Sequence, residues 1–283
     1  LQKTFLKMLA NFHTHTLFCD GHDTVFDMAE FAFSSGFTHL GFSSHAPLPF
    51  DARWAMKEER ISSYIKEIDD AKKTFNKMKI FTALEIDYIP STWEYSKKII
   101  SDNKYDYLIG AVHLLGEPGG KDYITITGNS SRFADSLANS GKDIKSAVRE
   151  YYERMIYLIK YTEVDVMAHF DLIKKVNVDF QIFDENASWY NDFLNDALDA
   201  LAANPKIVEV NTGALSRKKS KDLFPSDYIL KFLLKNNIPV VINSDCHRKK
   251  DIAAYYDFAA DKLKSLGFYY TMIYDDGWIK TPL

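Results

Sequence analysis

The chain has 283 residues, 46% of them hydrophobic and 26% charged, a composition typical of an ordinary globular protein that excludes a disordered or fibrous one. Its formal net charge of -4 argues against nucleic acid as a partner, because binding to a phosphate backbone requires a clustered excess of lysine and arginine. No apolar run reaches the roughly 18 residues of a membrane span, so no membrane association is expected.

The cysteine content and the opening residues predict where the protein is found. The chain contains 2 cysteines, Cys19 and Cys246, too few for a disulfide framework, and both are predicted to be reduced thiols. The opening residues lack the long apolar core and the small-residue cleavage site of a secretory signal. A cytoplasmic location is therefore predicted, and the oligomeric state is left open.

Short apolar runs alternate with longer stretches of helical spacing along the chain, which is typical of a βα repeat. The predicted strands are 8–12, 39–43, 80–84, 107–112, 164–168, 207–211 and 239–243, with 267–273 as a possible eighth. The predicted helices are 25–35, 58–76, 145–161, 187–203 and 226–236. Because parallel strands buried on both faces read as nearly continuous apolar runs, the pattern favours a barrel of seven or eight parallel strands over an open doubly wound sheet.

The whole chain, 1–283, is predicted to form a single barrel domain with a long loop insertion at about 114–143. A loop of this length inside a compact domain is usually a lid or a binding loop. No glycine-rich dinucleotide fingerprint and no phosphate-binding P-loop follows a predicted strand, so neither NAD nor ATP is expected.

Side chains of metal-ligating type lie where several apolar runs end. They are His13, His15, Asp20, His45, Glu85, His113, His169, Asp245 and His247. In a βα-repeat protein the carboxyl ends of the strands form the active site, so ligands that are distant in sequence are expected to meet there. The sequence therefore predicts a metal site.

The spacing of these residues refines the prediction. His13 and His15 are two residues apart, so in an extended strand both imidazoles point to the same side, and Asp245 and His247 repeat that spacing. Glu85 lies in a buried apolar run, where its carboxylate requires a cation opposite, and bridging two metals would engage both oxygens. A further cation held by Asp20, His45 and His247 leaves about three protein ligands per metal, with open positions for water and substrate.

These residues lie in segments that resemble the polymerase and histidinol phosphatase (PHP) superfamily, and within it the monofunctional histidinol-phosphate phosphatases. The resemblance rests on HTHTLFCDG, SSHAPLP, ALEIDY, GAVHLL, MAHFDLIKK, EVNTG and INSDCHR, in order along most of the chain. It implies a distorted (β/α)7 barrel of the PHP type, similar to a TIM barrel, with a trinuclear metal site. The family pattern places His13, His15, Glu85 and Asp245 on one metal, Glu85, His113 and His169 on the second, and Asp20, His45 and His247 on the third.

The expected chemistry is phosphate-ester hydrolysis. A hydroxide between the two metals that share Glu85 would attack phosphorus, since a bound divalent cation lowers the pKa of water to roughly 7. Asp245 and His247 are the nearest candidates for proton transfer to the leaving alcohol. Phosphate contacts are expected from Arg217, Ser216 and Arg53, because a guanidinium binds phosphate through two hydrogen bonds.

The resemblance implies a histidinol phosphatase that releases L-histidinol and phosphate from L-histidinol phosphate in histidine biosynthesis. A phosphodiesterase or exonuclease acting on small nucleotides is the alternative within the superfamily. An amidohydrolase is disfavoured because no predicted strand ends in lysine. A purely structural metal site is also disfavoured, because such sites usually close with four ligands and this set has nine. The donors suit three divalent ions of zinc, manganese, iron or cobalt, without distinguishing between them.

Overall fold

The computed structural model describes residues 9–126 and 128–283. Strands and helices alternate along this part of the chain. The strands are β1 (Leu9–Asn11), β2 (Phe37–Phe42), β3 (Lys79–Asp87), β4 (Tyr107–Ala111), β5 (Leu114–Leu115), β6 (Ile124–Thr125), β7 (Val166–Met167), β8 (Ile207–Asn211), β9 (Val240–Asn243), β10 (Tyr270–Tyr274) and β11 (Trp278–Pro282). The helices are α1 (Val25–Ser34), α2 (Ile61–Thr74), α3 (Trp93–Ser101), α4 (Ser130–Ser140), α5 (Ile144–Tyr161), α6 (Ser188–Ala203), α7 (Gly213–Ser216), α8 (Asp227–Lys235) and α9 (Tyr256–Leu266).

Seven parallel strands form a nearly closed barrel in the order β1-β2-β3-β4-β7-β8-β9. The first and last strands meet through a parallel bridge between Thr14 and Cys246 and a 2.9 Å hydrogen bond from the backbone N–H of His15 to the carbonyl of Cys246. Side-chain amides complete this seam, since Asn11 donates to Ser244 Oγ at 2.6 Å and the backbone N–H of Phe12 donates to Asn243 Oδ1 at 2.9 Å. The seam is therefore a distortion of the barrel rather than an open edge.

The seven predicted strands are confirmed as the seven barrel strands, although the first was predicted to begin at Met8, which lies outside the described residues. The predicted (β/α)7 class is confirmed. The possible eighth strand is wrong as a member of the barrel. β10 pairs antiparallel with β11 instead, because only a short turn ending in Gly277 separates them and a parallel partner needs a long crossover.

The β10–β11 hairpin covers the amino-terminal end of the barrel. Aromatic side chains of the hairpin and of the barrel interior pack there edge to face, with Phe12 and Trp278 ring centroids 5.3 Å apart and Phe81 and Tyr274 centroids 5.0 Å apart. This apolar plug fills one end of the barrel, and the polar side chains lie at the other end.

Helix α1 shows why the outer layer of helices forms where the apolar spacing predicted it. Thr24 caps α1 by accepting from the backbone N–H of Asp27, and the Asp27 carboxylate accepts from Thr24 N in return. The buried face of α1 is formed by Val25, Met28, Ala29 and Ala32, at the spacing of one helical face.

The insertion at 114–143 contains regular structure, whereas the sequence predicted a long loop. A β5–β6 hairpin and helix α4 occupy most of it. The buried guanidinium of Arg154 fastens the hairpin by donating to the carbonyls of Leu114 at 3.0 Å and Gly116 at 2.7 Å. Whether the chain is a single domain stays a prediction. Among the described residues, no helix combines the length and apolar character that crossing a bilayer requires.

Candidate metal centre

The nine predicted ligands lie together at the carboxyl-terminal end of the barrel. Glu85 lies inside β3, and the others follow β1, β2, β4, β7 and β9. Seven of the nine are buried, and His247 and Asp20 lie at the rim with side-chain exposures of 20% and 35%. A Cβ at Gly21 would lie 2.4 Å from the backbone nitrogen of Thr16, so only glycine lets this loop fold back and bring Asp20 to His15.

The first group of ligand atoms surrounds Asp245. Its Oδ1 lies 3.2 Å from His15 Nε2 and 3.8 Å from His13 Nε2. Glu85 Oε2 approaches the same two imidazoles, at 3.2 Å from His13 Nε2 and 3.5 Å from His15 Nε2. These four side chains are the set that the family resemblance assigns to one metal.

The second group lies around the other oxygen of Glu85. Oε1 is 3.2 Å from His169 Nε2 and 3.7 Å from His113 Nε2, and the two imidazole nitrogens are 3.2 Å apart. The Glu85 carboxylate thus lies between two groups of histidines, which is the position a bridging ligand requires.

The third group forms at the rim around Asp20. Its Oδ1 lies 3.3 Å from His247 Nε2 and 3.8 Å from His45 Nε2. The other nitrogen of His45, Nδ1, lies 2.9 Å from Glu85 Oε2. The rim group therefore adjoins the two deeper groups through His45.

The donor set fits divalent cations. Buried atoms that face one another across the groups make no hydrogen bond of acceptable geometry with any described residue, and an unpaired buried polar atom is costly. They include His13 Nε2, His15 Nε2, Asp20 Oδ1, His45 Nδ1 and Glu85 Oε2. Ligand atoms of His15, Asp20, His45 and His247 lie within 4.8 Å of one another, as do those of His13, His15 and Asp245. Imidazole and carboxylate together suit zinc, manganese, iron and cobalt.

Two carboxylates that the sequence analysis did not select hold the imidazoles in place. Glu209 Oε1 lies 2.6 Å from His13 Nδ1, and Asp87 Oδ1 lies 3.0 Å from His113 Nδ1. Each contact fixes the ring so that Nε2 faces the site, as carboxylates behind metal-bound histidines do. The sequence carried a signal, since Asp87 is two residues after Glu85 and Glu209 is a carboxylate inside an apolar run.

Two of the nine residues have a left-handed backbone, with φ of 23° at His169 and 45° at Asp245. Aspartate and histidine both occur at positive φ more often than most residues, but the φ of His169 lies outside the favoured left-handed region of about 50–70°, so its backbone is strained. The backbone N–H of His169 donates to Glu209 Oε2 at 3.1 Å, which helps to hold the conformation. In this backbone conformation the imidazole of His169 points towards Glu85.

The carboxylates and imidazoles shift one another's pKa values. Burial raises the pKa of Glu85, but His13, His45 and the other imidazoles outweigh burial and hold it well below its usual range. Burial lowers the pKa of His45, but Glu85 and Asp20 outweigh that effect and raise it to about 10. Burial together with His247 and His45 lowers the pKa of His15 to about 3.

Metal binding is expected to release protons near neutral pH. The pKa of His45 is about 10 without metal, against an ordinary 6.5, so its imidazole is protonated at pH 7. A metal ligand must be neutral, so apparent metal affinity is expected to rise as pH increases towards about 10. Calorimetric titration with Zn²⁺ in buffers of different ionisation enthalpy measures the protons released. His45→Gln is the control and should release about one fewer proton. An observed heat that is independent of the buffer would contradict this expectation.

A cavity of about 380 Å³ opens over the ligand groups, and basic side chains form part of its wall. Arg217 and Ser216, both predicted phosphate contacts, line it. Arg217 Nη2 lies 2.8 Å from Asp245 Oδ2, so the guanidinium also positions a predicted ligand. Arg53, the third predicted phosphate contact, is exposed and is not part of the cavity wall.

Lys175 is a cavity residue that the sequence analysis missed. Burial, with Lys219 and Arg217 nearby, lowers the pKa of Lys175 to about 8, so at neutral pH the ammonium form still predominates. It lies in a short 3-10 helix, Leu172–Asn177, after β7. In the sequence Lys174 and Lys175 are adjacent, and such a lysine pair is usually exposed to solvent. Only the fold brings it beside Arg217.

Trp54 provides an aromatic wall. Its ring centroid lies 4.9 Å from that of His45 and 6.1 Å from that of His113, both edge to face. Trp54 comes from the loop after β2. No described residue of the 114–143 insertion lines the cavity wall, although His113, which directly precedes the insertion, does.

Three comparisons place the chain among known proteins. The model of the PHP domain matches residues 11–213. Histidinol-phosphatase of Bacillus subtilis is 28% identical over 264 residues, covering 87% of this chain and 96% of that protein. DNA polymerase/3'-5' exonuclease PolX of Bacillus subtilis is 23% identical over 172 residues, covering 60% of this chain and 28% of that protein.

A solved structure shows the same fold. The histidinol phosphate phosphatase of Lactococcus lactis, crystallised with zinc, L-histidinol and phosphate, superimposes with a TM-score of 0.73 at 18% identity. The superposition covers 96% of this chain and 98% of that chain. The similarity in fold therefore extends over nearly the whole of both chains.

Proposed function

We propose that this chain, which belongs to the PHP domain family, is a metal-dependent phosphomonoesterase that hydrolyses L-histidinol phosphate to L-histidinol and phosphate. The observation that carries the proposal is a cavity over the group of nine predicted ligands, six of which line its wall beside basic side chains. The near full-length similarity to a histidinol-phosphatase supports the choice of substrate. The name of that relative implies a place in histidine biosynthesis.

The proposed metal content is three divalent ions, one for each group of ligand atoms. Divalent cations held there would lower the pKa of water and neutralise charge on the phosphate oxygens. Glu85 is proposed to bridge two of them, because its two oxygens face different histidine pairs. The ions are proposed to be zinc, manganese, iron or cobalt, since all four accept imidazole and carboxylate ligands.

The chain's own side chains then bind and orient the ester. Arg217 and Lys175 offer cationic donors to the phosphate from the loops after β8 and β7, and Ser216 lies beside them. Asp245 and His247 are proposed to transfer the proton that the leaving alcohol needs. The pKa of Asp245 lies well below its usual range, because Arg217, His13 and other cationic neighbours outweigh burial, so the carboxylate is ionised. Asp245 would therefore first accept the proton that the attacking water gives up and then pass that proton to the leaving alcohol.

The test is phosphate release by protein reconstituted with Zn²⁺ or Mn²⁺, from L-histidinol phosphate, a generic phosphomonoester and a phosphodiester. We expect kcat/KM for histidinol phosphate to exceed the others by about a hundredfold or more, because the cavity wall offers contacts to the alcohol that generic esters do not use. Equal rates for all monoesters would remove the substrate assignment. Preference for the diester would favour the alternative, a PHP-type phosphodiesterase or exonuclease on small nucleotides.

A further inference from the structure

The charges on the cavity wall are unevenly distributed. Basic side chains reach it from the loops after β7, β8 and β9, namely Lys175, Arg217, Lys219 and Arg248. Three carboxylates of described residues line the same cavity. Two of them, Asp20 and Asp245, contact the histidines of the candidate metal centre. The third, Asp251, lies outside the ligand groups.

Asp251 has a carboxylate without a partner among the described residues. No side-chain hydrogen bond or ion pair joins it to them, although Arg248, Lys249 and Lys250 are close in sequence. An unpaired carboxylate on the wall of a cation-lined cavity is available to a positively charged group of a ligand. The basic side chains of the wall attract anions such as phosphate. Asp251 does not serve that purpose, and its carboxylate would favour ligands that also carry a positive charge.

The backbone holds Asp251 in a fixed place. Its N–H donates to the carbonyl of Arg248 at 2.9 Å within a short 3-10 turn. The backbone N–H of Lys249 donates to Asp23 Oδ2 at 2.8 Å, and that of His22 to the carbonyl of His247 at 2.8 Å. The turn after β9 is thus fastened to the loop after β1, so the carboxylate does not depend on a mobile segment for its position.

The placement also limits the class of ligand. Arg217 follows β8 and Asp251 follows β9, which are hydrogen-bonded neighbours. Both residues line the same cavity of about 380 Å³, so a small ligand can meet them together. A ligand that carries both a phosphate and an ammonium group on a short carbon chain matches the two charges.

We propose that Asp251 binds the ammonium group of a 2-aminoalkyl phosphate monoester and selects substrates whose alcohol carries that charge. The proposal rests on the proposed function, because L-histidinol phosphate is an ester of this class. A charge-assisted hydrogen bond between ammonium and carboxylate supplies the discrimination. Esters without the amine leave Asp251 unpaired and bind less well.

Two matched pairs of compounds test the proposal on the metal-loaded protein. The first pair is L-histidinol phosphate and its analogue without the amine, compared by kcat/KM. The second pair is 2-aminoethylphosphonate and ethylphosphonate, which are not hydrolysed, compared by Kd from calorimetry. We expect the unaltered protein to favour the aminated member of each pair, and Asp251→Asn to lower that preference about 10- to 100-fold.

Asp261→Asn is the control, since Asp261 is exposed on α9 and lies outside the cavity wall. It should keep both preferences within about twofold, as ordinary surface changes do. Metal content is measured for each variant. Equal weakening of both members of each pair by Asp251→Asn would overturn the proposal, as would an unaltered protein with no preference for the amine. Retained preference for 2-aminoethylphosphonate, without selective hydrolysis of histidinol phosphate, would refute the proposed substrate while supporting Asp251.

Discussion

Replacing Glu85 with glutamine is expected to lower kcat/KM for histidinol phosphate by about a thousandfold or more. Glutamine keeps the size of the side chain but removes its negative charge and places an N–H₂ group against imidazole nitrogens. Glu85 Oε2 lies 2.9 Å from His45 Nδ1, and Oε1 lies 3.2 Å from His169 Nε2. In the proposed metal centre, this variant therefore loses a ligand that two of the groups share.

Metal content distinguishes this explanation from a folding defect. Elemental analysis of purified Glu85→Gln should show fewer bound ions than the unaltered protein, with far-ultraviolet circular dichroism unchanged. The matched control is Glu30→Gln, because Glu30 is exposed on α1. Full metal occupancy with a near-normal rate in Glu85→Gln would remove Glu85 from the proposed bridging position.

Replacing Arg217 with alanine is expected to raise KM for histidinol phosphate by about 10- to 100-fold and also to lower kcat. The KM effect follows from losing a guanidinium on the cavity wall. The kcat effect follows from the contact of Arg217 Nη2 with Asp245 Oδ2 at 2.8 Å, since Asp245 loses the group that orients it. The sequence predicted only the first of these effects.

Arg217→Lys separates the two roles in steady-state kinetics. Lysine keeps the charge but lacks the planar fork of donors, so the KM should recover more than the kcat does. Arg132→Ala, an exposed position on α4, is the control and should change neither value beyond about twofold. An unchanged KM in Arg217→Ala would refute phosphate binding by this residue.

The sequence by itself determined the barrel and the set of candidate ligands. Parallel strands buried on both faces appear as apolar runs, and their carboxyl ends must meet at one end of a barrel. A polar residue directly after such a run therefore has a known place in the fold. The structure brings all nine predicted residues together, among them Glu85, Asp20 and His247, which are far apart in the chain.

Only the tertiary structure decided which groups surround those residues. Glu209 and Asp87 orient the imidazoles from behind, and Lys175, Trp54 and Asp251 form the cavity wall. Their roles depend on which loops become neighbours and where each side chain points, and periodicity carries no information on either. For the same reason the sequence did not show that β10, an apolar run like the others, lies outside the barrel. The structure shows that β10 pairs antiparallel with β11 at the opposite end of the barrel.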